Sequence, residues 1–275
     1  MFIVFRSVDE SLGGGQFLIN ILFKLVIPSI LFATVVHLPK VYLRGLDFSV
    51  ESLVADTILG RCEWFTSALT VAQLLIFLLL LSRVKNVWFY FACGIGLMFL
   101  STYIHNSGVI FFNDTYLPWH YKAGMSAVVI MSAGGLYSKY EEKVDKLLKG
   151  YWLIPLIFLY MALAFYRGDN VCVNWGPITI KSLLIALLGV YCFVRLCKLL
   201  PASRYIDYWG VQSISLYFFC GSCPNALAVV LGKFMAPSFG MLMVLFLLSF
   251  TTVQVVAYIL NEYVPFVYDL RKLKK

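Results

Sequence analysis

The chain has 275 residues, of which 61% are hydrophobic and 13% charged, with a net charge of +8 and a mean hydropathy of +0.85. A soluble domain carries roughly 25% charged residues because its surface faces water, so this composition excludes a soluble α/β enzyme and predicts an outer surface that meets hydrocarbon. The basic balance comes with no long cationic cluster or soluble module to hold a nucleic acid, and an excess of Lys and Arg on cytoplasmic loops explains it more simply.

Read in chain order, Met1 to Gly15 carries Arg6, Asp9, Glu10 and a Gly-Gly-Gly run. It lacks the ordered charged start, apolar stretch and cleavage site of a signal peptide. A bilayer core of about 30 Å needs roughly 20 apolar helical residues. Eight stretches meet or approach that length: Phe17–Leu38, Trp64–Ser82, Val87–Ile104, His120–Tyr137, Tyr151–Tyr166, Ile178–Leu199, Val211–Met235 and Phe239–Leu260. The expected fold is therefore all-α, a polytopic integral membrane bundle of about eight transmembrane helices forming one domain over residues 1–275. The fifth stretch is short, and Gly221 and Pro224 are expected to break the seventh. Such a break either lines a site, where protein or water satisfies the freed backbone, or is an ordinary kink near a helix end. Pro39–Glu63 and His105–Trp119 read as long polar outer loops, and Lys139–Gly150 as a solvated charged turn.

Placing the amino terminus in the cytoplasm and alternating sides gives a charge count. Inside lie Arg6, Arg83, Lys85, Lys139, Lys143, Lys146, Lys149, Arg195, Lys198, Arg204, Arg271, Lys272, Lys274 and Lys275; outside lie Lys40, Arg44, Arg61, Arg167 and Lys233. That is 14 against 5, the bias expected when both termini are cytoplasmic.

Chemistry-bearing residues are few. His37 ends the first helix beside Pro39, while His105 and His120 flank the second outer loop. The latter pair reads either as acid, base or substrate ligand facing one cavity or as polar helix ends at the interface. There is no metal-binding spacing, phosphate-cradling loop, nucleophile elbow or dinucleotide fingerprint. Lys24 and Lys181 lie near helix ends, where they can snorkel; ionisable groups deep in the helices are too scarce for a proton-coupled carrier. Cys220-Gly221-Ser222-Cys223-Pro224 has the spacing of a redox pair without its usual βαβ context. A packing role or a passive outer-face disulfide is the alternative.

Several segments, in order, resemble the acyltransferase-3 family of membrane O-acyltransferases. They are Phe23-Lys24-Leu25-Val26-Ile27-Pro28, Trp64-Phe65-Thr66-Ser67-Ala68-Leu69, Leu117-Pro118-Trp119-His120-Tyr121 with the helix ending Gly134-Gly135-Leu136-Tyr137, and Tyr208-Trp209-Gly210-Val211-Gln212-Ser213-Ile214-Ser215-Leu216-Tyr217. The family typically has about ten helices, and Met1 falls within what would be its second. The resemblance thus implies an amino-terminally shortened member without the first-helix histidine that follows an arginine in the family. Cys220 stands where many members carry a histidine.

The resemblance implies transfer of an acyl group, often acetyl, from a coenzyme A thioester to a hydroxyl of a carbohydrate or envelope component. It implies no bound cofactor, with acyl-coenzyme A as the co-substrate, a carbohydrate or lipid-linked molecule as the acceptor, and membrane lipid as the surrounding partner. The catalytic candidates are His120 and His105. Substrate-binding candidates are Trp64, Arg44, Asp114, Trp119, Ser213 and Tyr217, with the interfacial aromatic belt as the other reading of the aromatics. Donor phosphates would favour the inner cations Arg83, Lys85, Arg195, Lys198 and Arg204. The expected location is the bacterial inner membrane. The rival expectation is a non-catalytic transporter or export partner for a lipid-linked sugar.

Overall fold

The computed structural model describes residues 14–43, 49–60, 64–107, 118–147, 150–166, 179–201, 203–211 and 213–265. Among these residues every element is helical and no strand occurs. In chain order they are α1 (Gly14–Ile21), a π-helical turn (Leu22–Val26), α2 (Ile27–Leu43), α3 (Val50–Thr57), α4 (Trp64–Leu80), α5 (Val87–Asn106), α6 (Tyr121–Leu147), α7 (Leu153–Tyr166), α8 (Ile180–Leu199), α9 (Arg204–Val211), α10 (Ser213–Leu231) and α11 (Phe239–Tyr263). Short 3-10 turns, Pro118–His120 and Gly150–Trp152, lead into α6 and α7.

Among the described residues, four helical runs are long and apolar enough to cross a membrane: Gly15–Val35, Val87–Asn106, Ile180–Leu199 and Phe239–Tyr263, with mean hydropathies of 2.1, 1.6, 2.0 and 2.2. Helices α6 and α7 would add a fifth as one span bent by 105°. Trp64–Leu80 and Leu216–Leu231 are apolar but shorter.

Local chemistry explains where these helices begin. Asn86 caps α5 by accepting from Trp88 N, Thr179 caps α8 by accepting from Ser182 N, and Ser238 caps α11 by accepting from Met241 N. Each side chain satisfies an amide that the first helical turn leaves unpaired. At the π-helical turn Ile27 N reaches back five residues to Leu22 O. Pro28, which has no N–H to offer the ladder, follows at once, so the widened turn sits where an ordinary helical bond is missing in any case.

Three expectations change. The segment read as the outer loop Pro39–Glu63 contains helix to Leu43 and then α3, capped by Ser49 with Glu51 in its first turn. The charged stretch from Lys139 is not a turn, because α6 runs 27 residues and continues to Leu147; two of its carboxylates, Glu141 and Asp145, are held by α8, as described below. The break expected at Gly221 and Pro224 does not occur: α10 runs 19 residues with Pro224 inside it. One proline removes a single ladder bond, and the packing of α10 on its neighbours outweighs that loss.

The chain divides into two compact units, one of residues up to Ile19 with Trp64–Pro201, the other of Asn20–Glu63 with Ala202–Lys275. In the first, α6 packs between α4 and α5. Ala72, Ile76, Val128 and Met131 form one buried cluster, and Met98, Val129 and Leu183 another. The helices approach at glycine. A Cβ on Gly94 of α5 would lie 2.8 Å from Val129 Cα, and one on Gly124 of α6 would lie 2.6 Å from the Val71 side chain and 3.0 Å from Ala68 O. In the second unit Phe32 of α2 stacks on Phe218 of α10 at 4.2 Å and meets Phe219 edge-on at 5.4 Å. Val253 and Ala257 of α11 complete that core.

Gly94→Ala is expected to destabilise the protein by about 1–3 kcal/mol, because the colliding atoms are backbone and cannot rotate away. Gly96→Ala on the same helix is the control, since nothing lies within 4 Å of its added Cβ. Thermal unfolding of the two variants in detergent measures the difference.

Candidate functional site

The site is built from the first unit, whose chain path gives it two poles. Helix α4 runs away from Trp64 to Leu80, and α5 returns to end at Asn106, with His105 in its last turn. Ser101 Oγ donates to Lys122 O at 2.9 Å, tying the end of α5 to the start of α6. Trp64, His105, Trp119 and His120 therefore belong to one pole. The connection carrying Arg83 and Lys85 lies at the other, and Trp88 Nε1 there donates to Tyr140 Oη at 3.3 Å, bringing in the far half of α6.

At the first pole the Pro118–His120 turn packs against α4. Two successive residues, Trp119 (φ 59°) and His120 (φ 49°), adopt the left-handed conformation. For non-glycine residues this costs on the order of 1–3 kcal/mol each and persists only where surrounding structure imposes it. The result is a half-buried His120 whose Nε2 is closed off from solvent. His105, on the last turn of α5, is exposed. Trp64 is half-buried and meets Phe65 edge-on at 5.9 Å.

Beneath this pole lies a set of small hydroxyls that the sequence reading did not single out. Thr66, Ser67 and Thr70 of α4, Ser101 of α5, and Ser126 and Ser132 of α6 are all at most 2% exposed. Thr70 bonds back to Thr66 O at 2.8 Å, as threonine commonly does in helices. Ser126 and Ser132 find no hydrogen-bond partner. Their signal was available as small polar residues punctuating apolar helices, the composition of close helix contacts.

At the second pole α6 and α8 are clamped by charge. Asp145 accepts from Arg195 at 2.6 Å and from Lys198 at 2.9 Å. Lys198 also meets Glu141 at 2.5 Å and donates to Tyr137 Oη at 2.9 Å, and Tyr137 in turn donates to Asp145 Oδ1 at 3.0 Å. Burial pushes the Asp145 carboxyl upward, but hydrogen bonds from Lys198 and Tyr137 and the charges of Lys198 and Arg195 outweigh it and hold the group below its ordinary value. Two of the cations expected to bind donor phosphates are thus engaged by carboxylates; Arg83 and Lys85 are exposed. Arg83 itself has φ 56° in the turn that ends α4, its N–H bonded to Leu80 O.

The remaining candidates lie elsewhere. Ser213 and Arg204 are exposed in the second unit, and Tyr217 packs there against the core and edge-on to Phe218. Arg44 and Asp114 lie outside the described residues. Cys220 and Cys223 are thiols, not a disulfide, on one continuous helix. Among the described residues no group of His, Cys, Asp and Glu is placed to hold a metal ion. The architecture defines an all-helical protein with several helices of membrane-spanning length and apolarity. No family model, curated protein or solved structure matches the chain.

A carboxyl held low in the folded state contributes stability above its unfolded value, near 3.8, and that contribution is lost as the pH falls through the folded value. Asp145→Asn is expected to cost about 1.5–3 kcal/mol at neutral pH, the range for hydrogen bonds to charged groups. The gap from the parent protein should close as the pH drops below about 4. Unfolding midpoints of both proteins across that range test the expectation.

Proposed function

We propose that this chain is a membrane-embedded acyltransferase of the acyltransferase-3 type. It transfers an acyl group, acetyl in the first instance, from a coenzyme A thioester to a hydroxyl of a carbohydrate or envelope component. The observation that carries the reading is the strained Trp119–His120 turn, which holds an imidazole partly buried beside the start of α4. The turn falls in one of the segments through which the sequence resembles that family, and the start of α4 falls in another. Each of the eight apolar stretches coincides with helix, and on this reading all eight are spans, with both termini on the cytoplasmic side of a bacterial inner membrane.

His120 acts as general base. It takes the proton of the acceptor hydroxyl as that oxygen attacks the thioester carbonyl; the C–O bond forms, the C–S bond breaks, and the proton passes to the departing thiolate. Trp64 and Trp119 supply ring faces for the acceptor. Arg83 and Lys85, exposed at the opposite pole, meet the donor phosphates.

Membranes containing the full chain, supplied with labelled acetyl-coenzyme A and envelope acceptors, should incorporate label. His120→Ala should lower transfer by about 10²- to 10⁴-fold, the usual contribution of a positioned base. The double variant Arg83→Gln, Lys85→Gln should raise the donor KM and leave kcat close to its starting value. Movement of a lipid-linked sugar across the membrane without acylation would assign the chain to the carrier class instead.

A further inference from the structure

The second unit contains a cavity of about 450 Å³ between α9, α10 and α11. Its cause is visible in the side chains. Cys220 and Pro224 of α10 and Ser249 of α11 are small, and they leave a recess framed by Trp209, Phe246 and Phe250. Helices α10 and α11 form an antiparallel pair, so Leu216 lies toward Gln254 and Pro224 toward Phe246. Each wall is eight residue rises long, about 12 Å.

The two ends differ. Toward Phe246 the lining is hydrocarbon. At the other end Tyr205 donates to Gln254 Oε1, and Arg204 stands exposed one residue before Tyr205. That end belongs to α9, eight residues combining Arg204 and Asp207 with Tyr205, Tyr208 and Trp209, the aromatic and charged mixture of a membrane–water interface. Tyr208 donates to Glu262 of α11 at 3.4 Å, giving α9 a second tie to that helix. The groove opens between helices whose outer faces are exposed and apolar, among them Val229, Leu242, Phe246 and Leu247. A water-filled recess needs several polar partners per water. Here Tyr205 and Gln254 bond each other, while Ser249, 8% exposed, keeps a hydroxyl with no hydrogen-bond partner.

We propose that this groove is a binding site for an anionic glycerophospholipid, one acyl chain lying between α10 and α11 and the phosphate at Arg204. The chain fills the apolar recess, the ester region meets the Tyr205–Gln254 end, and Arg204 makes the site selective for a negative headgroup. The site rests on the membrane reading of these helices and is independent of acyl transfer.

The test uses the full chain in phosphatidylcholine nanodiscs containing a minor fraction of phosphatidylglycerol with a photoactivatable group in mid-chain. After illumination, labelled peptides are mapped by mass spectrometry. Labelling should concentrate on peptides spanning Leu216–Pro224 and Phe246–Gln254. Cys220→Trp, which fills the groove from an exposed wall position, should reduce it there at least fivefold. Arg204→Gln leaves the walls intact and should erase the preference for phosphatidylglycerol over an equally labelled phosphatidylcholine. Label spread over all apolar helices in proportion to exposure, unchanged by either variant, would overturn the site. A chain that washes out of membranes at high pH and takes up no label would overturn the membrane reading itself. Groove labelling in a protein without acyl-transfer activity would leave the lipid site standing.

Discussion

Two glycines set the register of the first unit. Gly94 brings α5 against the backbone of α6, and Gly124 brings α6 against Val71 and Ala68 of α4, each at a separation that a Cβ would violate. Between helices this apolar, burying one leucine against another discriminates poorly among registers, whereas backbone contact at a small residue does so sharply. The rest follows from that register. It lets Ser101 reach Lys122 O at one end and Trp88 reach Tyr140 at the other, and it puts both loop-flanking histidines at a single pole.

The second unit solves the same problem with aromatic rings. Phe32, Phe218 and Phe219 interlock α2 with α10, and Val253 and Ala257 let α11 close on them. Large rings next to small residues leave space where their sizes do not match. The recess beside Cys220, Pro224 and Ser249 is a consequence of that mismatch, and α9 closes its end through Tyr205 and Gln254.

Much of this was legible in the sequence, for a physical reason. Long apolar runs have few alternatives to helix, so all eight stretches coincide with helical segments. What the sequence hid depends on contacts between distant residues. The charged stretch after Tyr137 looks like a turn by composition, yet Glu141 and Asp145 are helical because Arg195 and Lys198, 50 or more residues away in sequence, lie against them. Pro224 looks like a helix breaker, but a single missing bond is a local cost that α10 absorbs through its packing. Histidine was visible as a candidate by type alone. The left-handed backbone that sets His120 apart from the exposed His105 was not visible, since tryptophan does not signal it and histidine, though enriched there, adopts it in only a small minority of cases.

The two poles constrain any chemistry assigned to the first unit. Helix α4 has 17 residues, so its ends are about 26 Å apart, close to the thickness of a hydrocarbon core. An imidazole at one end and phosphate-binding cations at the other cannot touch the same end of a substrate. On the acyl-transfer reading the donor must extend inward from Arg83 and Lys85 while the acceptor hydroxyl waits beside His120. The region between them is not uniformly apolar, because Thr66, Ser67, Ser126 and Ser132 are buried there. Ser126 and Ser132 keep hydroxyls with no hydrogen-bond partner, an arrangement that costs on the order of 1–3 kcal/mol each. On the acyl-transfer reading, these hydroxyls match a donor whose long arm carries amides, as the pantetheine portion of coenzyme A does.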